Sequence, residues 1–95
     1  MAMEKNWVVY ILQCKDDTLY TGSTDCLERR LQMHRSGKGA KYTRGRGPLV
    51  LRYVESCTDR SHALRVEHTI KKLSRKEKLS LCESFAAKGE YDNAQ

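Results

Sequence analysis

The stretch "LYTGSTDCLERRL", Leu19 to Leu31, decides how the chain is read. Leu19 to Ser23 is a short strand pattern, and within a few residues it becomes a charged segment with leucines at helical spacing. Working backwards, "WVVYILQC" (Trp7–Cys14) is almost entirely β-branched, aromatic or apolar. It reads as a strand buried on both faces. Only "KDDT" (Lys15–Thr18) separates the two strands, which makes them an antiparallel hairpin. Gly22 lets the chain leave that hairpin with no Cβ in the way. Working forwards, Asp25 is the expected N-cap of the helix, with Glu28 completing a capping box. Leu27 and Leu31 form its apolar stripe, and Gly37 is the stop.

"GKGAKYTRGRG" (Gly37–Gly47) follows as a loop with four glycines, four basic residues and no acid. "PLVLRYVES" (Pro48–Ser56) is the third strand. Asp59 or Ser61 caps a second helix that runs to Leu73, with Ala63, Val66, Ile70 and Leu73 as its core stripe. The capping box "SRKE" (Ser74–Glu77) opens a third helix to Ala87, whose expected core face is Leu79, Cys82, Phe85 and Ala86. The order ββαβαα predicts an α+β fold, a small three-stranded antiparallel sheet flanked by helices. One domain is expected over residues 7–87, followed by a polar tail over 88–95.

The 95 residues carry a formal charge of +6, so the surface attracts polyanions, with nucleic acid the commonest. Cys14, Cys26, Cys57 and Cys82 are widely spaced, which speaks against a clustered zinc site. Reduced, buried thiols are expected. No apolar leader and no membrane-length run is present, so a cytoplasmic protein without a membrane partner is expected.

Several residues do not fit a purely structural pattern. Glu67 lies four residues after Ala63 and three before Ile70, at the border of an apolar stripe. A carboxylate there is costly unless it is paired or bound to metal. Its plain reading is an i,i+4 pair with Lys71. Arg30 flanks the stripe of the first helix, and His34 sits one turn further on. Their plain readings are a stem covering apolar surface and a helix C-terminal histidine favoured by the dipole. Arg29 points elsewhere, into solvent. Tyr10 and Tyr20 lie on paired strands and read plainly as core rings with their tips in water. In the loop, Lys38, Lys41, Arg44 and Arg46 could hold a phosphate backbone, with Tyr42 available for stacking. Its plain reading is a solvated loop. Two phenols, a guanidinium, an imidazole and a carboxylate are the parts that phosphodiester hydrolysis needs.

In this set the chain resembles the GIY-YIG nuclease superfamily. "VYI" (Val9–Ile11) and "YTG" (Tyr20–Gly22) resemble its two signature triplets, at the short separation typical of the family. Arg30, eight residues beyond Gly22, resembles the helix arginine; Glu67 resembles the metal-binding glutamate of a later helix. "GKGAKYTRGRGPL" and "DRSHALRVEHTIKKLSRKEK" are similar to the small stand-alone bacterial branch, an uncharacterised protein family with this domain alone. The likeness spans roughly residues 7 to 80. One departure is Val9 before Tyr10, where the family's first triplet has glycine.

The resemblance implies a metal-dependent endonuclease that hydrolyses DNA with low sequence specificity, with selection of nicked or branched structures as a further expectation. It implies that Tyr10, with Tyr20 close behind, positions or deprotonates water, and that Arg30 neutralises the phosphate. His34 would orient or shuttle a proton, and Glu67 would hold a single Mg²⁺ or Mn²⁺. No stable protein partner is expected. Two other readings stay open: a nucleic-acid-binding module with little turnover, and a basic protein-interaction domain.

Overall fold

A computed structural model describes residues 6–39, 43, 45 and 47–88. It has three strands, β1 (Trp7–Gln13), β2 (Leu19–Thr24) and β3 (Val50–Cys57), and three helices, α1 (Leu27–Arg35), α2 (Arg60–Lys71) and α3 (Arg75–Lys88). The order is ββαβαα, as the sequence predicts. β1 is central and antiparallel to both neighbours, in the order β2-β1-β3. Its unbroken apolar run follows from that place, because both faces are covered.

The strand period of two divides the core. Val9 and Ile11 pack with Ala63, Ile70 and Cys82 on the α2–α3 side. Tyr10, Leu12 and Cys14 pack with Leu49 and Leu51 on the other, joined by Leu27 and Leu31 of α1. The stripes predicted for α1 and α2 are the packed ones. Asp59 caps α2 by accepting from the His62 N–H at 2.8 Å. The Ser74–Glu77 box opens α3 with reciprocal bonds of 2.9 and 3.1 Å.

Other expectations need correction. The N-cap of α1 is Cys26, with no side-chain cap, so there is no Asp25–Glu28 box. Thr24 Oγ1 accepts from the Cys26 N–H at 3.1 Å, which holds Cys26 in extended geometry where the helix begins. Ala86 is exposed, and Leu81 packs on the core instead. The ladder of β3 starts at Val50 rather than Pro48. All four thiols are free, but only Cys14 and Cys82 are buried; Cys57 is half-buried and Cys26 exposed. No helix among the described residues is long and apolar enough to cross a membrane.

Gly22 has a different purpose from a clear exit. It pairs directly with Tyr10 inside the ladder. A Cβ there would lie 2.7 Å from Tyr10 Oη and 3.0 Å from Tyr20 Cε2. The missing side chain makes room for the Tyr10 ring to fold over the strand. We expect Gly22→Ala to destabilise the fold by about 1–3 kcal/mol, since a buried ring must move. Urea melts with an unchanged m-value would show it, and an unchanged midpoint would refute it.

Candidate active site

The site forms where the two faces of the sheet meet at the edge strand β2. Even positions of β2 point with Tyr10 toward α1, and odd positions point toward α2. Tyr20 and Gly22 therefore lie on the α1 side, and Ser23 on the α2 side. An open cleft wraps this edge, lined by Trp7, Ser23, Thr24, Arg29, Arg30 and Met33 among others.

On the α1 side, Tyr10 Oη lies 2.8 Å from His34 Nε2, and His34 Nδ1 lies 2.8 Å from Thr43 Oγ1. Tyr10, His34 and Thr43 are all buried, forming a hydrogen-bonded chain inside the protein. The Tyr20 ring meets His34 edge to face at 5.3 Å, and Tyr10 meets it at 5.8 Å. Gly39 closes over the imidazole: a Cβ there would lie 2.8 Å from the His34 Cα and overlap Nδ1.

Burial pushes the Tyr10 phenol up to about 12; Arg30 pulls it down, while the charges of Tyr20 and Glu67 push the same way as burial. Burial opposes the Arg30 charge, but its interactions with Tyr10 and then Tyr20 outweigh this and raise its pKa. Arg30 is thus a permanent cation beside two phenol oxygens, half-buried rather than a surface stem.

Burial, and then the Arg30 charge, lower His34 to about 4. His34 is therefore neutral at ordinary pH. This corrects the plain reading of a charged histidine resting on the helix dipole. The consequence for stability has a definite sign. A histidine held neutral contributes stability that is fully present above its unfolded value, about 6.5. That stability is lost as pH falls from there to the folded value. We expect roughly 3 kcal/mol to be lost between pH 7 and pH 4 on this account. His34→Gln should flatten that part of the stability profile, and an NMR titration of wild-type His34 with a midpoint near 6.5 would refute it.

On the α2 side, Ser23 Oγ donates to Glu67 Oε1 at 2.6 Å, and Lys71 Nζ lies 2.8 Å from Oε2. The i,i+4 pair is thus present, and so is a bond to the edge strand. Glu67 keeps 17% of its side-chain surface in solvent, so the side chain is not sealed in the core. Among the described residues, no group of three or more His, Cys, Asp and Glu gathers to hold a metal. The donor chemistry nevertheless fits Mg²⁺ or Mn²⁺, hard cations that take one or two carboxylates and complete their shell with water and substrate phosphate. The Lys71 ammonium shows that Oε2 already accepts a positive charge.

The structure therefore brings Tyr10, Tyr20, Arg30 and His34 together on one side of β2, with Glu67 across its edge. Of the basic loop, Lys38 is exposed. Lys41, Tyr42, Arg44 and Arg46 lie outside the described residues. Sequence reasoning misses Ser23, Thr43 and Trp7, and it correctly places Arg29 in solvent. Arg29 is exposed, but it lines the same cleft as Arg30. A serine beside the "YTG" triplet was the one available signal.

The family model for the GIY-YIG catalytic domain matches residues 6–80. A UPF0213 protein of Oceanobacillus iheyensis is 56% identical over 81 residues, covering 85% of this chain and 94% of that protein. A UPF0213 protein of Clostridium perfringens is 52% identical over 82 residues, covering 86% and 88%. The solution NMR structure of a UPF0213 protein from Bacillus halodurans aligns with a TM-score of 0.54 at 49% identity, over 82% of this chain and 83% of that one. A solution NMR structure of a protein from E. faecalis aligns at 0.61 with 37% identity, over 100% and 99%.

Proposed function

Because the chain belongs to the GIY-YIG catalytic-domain family, a family of nucleases that generally use divalent metals, we propose that it is a metal-dependent endonuclease acting on DNA. We read it as having low sequence specificity, with a preference for nicked or branched structures. The observation that carries the reading is the placement of Arg30. A cation held beside two phenols lines an open cleft that also reaches Ser23, and Ser23 binds the Glu67 carboxylate.

Arg30 faces the scissile phosphate and neutralises the charge that grows as water attacks phosphorus. We read the roles of the tyrosines in the opposite order from the sequence-based preference. Tyr10 has no exposed surface, and its hydroxyl is engaged by His34. Tyr20 is half-buried, and we read it as the phenol that meets the water. Tyr10, His34 and Thr43 form the buried support that fixes the Tyr20 ring. Neutral His34 can pass a proton along this chain without holding a charge. Glu67 is the residue that would hold Mg²⁺ or Mn²⁺, with Ser23 orienting the carboxylate. A divalent cation bound there supplies a positive charge for the leaving oxygen. Lys38 and the rest of the glycine-rich loop are read as a phosphate-backbone contact.

A cleavage screen over single-stranded, duplex, nicked and branched DNA and RNA tests this, with Mg²⁺, Mn²⁺ or chelator. Cleavage of DNA that stops with chelator while the fold is intact is the expected result. Salt-sensitive binding with no cleavage under any metal would leave a binding module in its place.

A further inference from the structure

The junction of α2 and α3 carries Lys71, Lys72, Arg75, Lys76 and Lys78 around one acid, Glu77. Glu77 is engaged in the capping box, bonded to the Ser74 N–H at 2.9 Å. Among the described residues, Lys72, Arg75, Lys76 and Lys78 form no ion pair. Lys72, Arg75 and Lys76 are exposed.

Helix stability explains only part of this charge. Lys71 and Lys72 sit at the C-terminal end of α2, where the dipole favours cations. Arg75 and Lys76 sit in the first turn of α3, where the same dipole disfavours them. Arg75 has a structural partner, since its Nη1 donates to the Asp17 carbonyl at 2.6 Å. Lys76 has no such account.

The contacts also fix the direction of this basic elbow. Glu67 meets Ser23 near the end of β2, and Arg75 meets Asp17 in the turn before β2 begins. From Glu67 onward the chain therefore runs alongside the edge strand, away from the cleft. Between these two contacts lies β2, 6 residues long and so about 20 Å at strand rise, the span of several phosphates of a duplex. The first cation on this path, Lys71, is already at the Glu67 carboxylate.

We propose that the α2–α3 elbow is a second phosphate-binding surface, with Lys72 and Lys76 tracking the backbone of a DNA duplex as it leaves the cleft along β2. It lies on the opposite side of the sheet from α1, whose Arg30 lines the cleft, so basic groups flank the scissile bond on both sides of β2. This inference rests on the nuclease reading, and its test separates the two.

The experiment measures binding of a labelled duplex DNA across a salt series, without divalent metal, for three proteins. They are wild type, Lys72→Ala with Lys76→Ala, and a charge-matched control, Arg60→Ala with Lys88→Ala. Both control sites are exposed and lie at the far ends of the two helices. Each phosphate contact contributes roughly 0.9 to the slope of log affinity against log salt, so the elbow variant should lose about two from its slope. The control should keep the wild-type slope. Equal changes in both variants would reduce the elbow to a general charge effect and overturn the proposal, as would an unchanged elbow slope. Wild type with no salt-dependent DNA binding would overturn the elbow and the nuclease reading together. Wild type that binds here and cleaves once Mg²⁺ or Mn²⁺ is added, beside an elbow variant with an unchanged slope, would overturn the elbow alone.

Discussion

Glu67→Gln will cleave DNA at least a hundredfold more slowly than the wild type at any Mg²⁺ or Mn²⁺ concentration, while remaining folded. The substitution keeps the volume and the Oε1 acceptor that Ser23 binds at 2.6 Å. It removes the negative charge that a hard divalent cation needs. The structural cost is limited and can be bounded. Lys71 is 52% exposed, so its pair with Glu67 is screened and worth only a few tenths of a kcal/mol. The Ser23 bond weakens from charge-assisted to neutral, which adds about 1 kcal/mol at most. A modest shift in the urea midpoint should therefore accompany a large loss of turnover, with DNA affinity little changed in the absence of metal. Manganese binding followed by electron paramagnetic resonance gives a readout independent of cleavage, and it should show weakened binding in the variant. Retained metal-dependent cleavage by purified Glu67→Gln would end the assignment of Glu67 as the metal carboxylate.

Local and long-range contacts differ in how far the sequence reveals them. The hairpin, the Ser74–Glu77 box and the Asp59 cap are local, and local chemistry fixes them within a few residues. The two-sided burial of β1 is legible because Trp7 to Leu12 is an unbroken run of apolar and aromatic residues, with the polar Gln13 only at its end. The site is another matter. Ser23 and Glu67 are 44 positions apart, and no periodicity links them. Thr43 sits in a glycine-rich basic loop whose composition suggests solvent, yet its hydroxyl is buried against His34. A charged helix-end histidine and a buried neutral one look identical in sequence; the difference lies in what covers the ring, here Gly39 and the two tyrosines. Gly22 stands out in the sequence for the absence of a Cβ, and the group needing the space is a ring on the neighbouring strand. Asp25 shows the opposite limit. Its capping pattern is sound, and a threonine hydroxyl one residue earlier still moved the helix start to Cys26.

Arg30→Ala will lower cleavage by on the order of a thousandfold, the scale seen when a cation at a reacting phosphate is removed. Arg30 is preorganised: its interactions with the Tyr10 and Tyr20 hydroxyls hold it in place before substrate arrives. It gains most when negative charge accumulates at phosphorus, so its loss should fall on turnover more than on binding. DNA affinity should drop only by the share of one phosphate contact. Arg30→Lys should recover little, because an ammonium is a point charge without the planar fork that can span two phenols and a phosphate. A purely structural arginine would give a different pattern, with lost stability and cleavage restored by lysine. The Arg30 charge can also be followed away from catalysis. The Arg30 charge is the second cause, after burial, of the depressed His34 pKa. In Arg30→Gln the NMR titration midpoint of His34 should therefore rise from about 4, yet stay below its ordinary value because burial remains. An unmoved His34 would mean that the guanidinium does not act on this pocket, and the placement of Arg30 at the phosphate would lose its support.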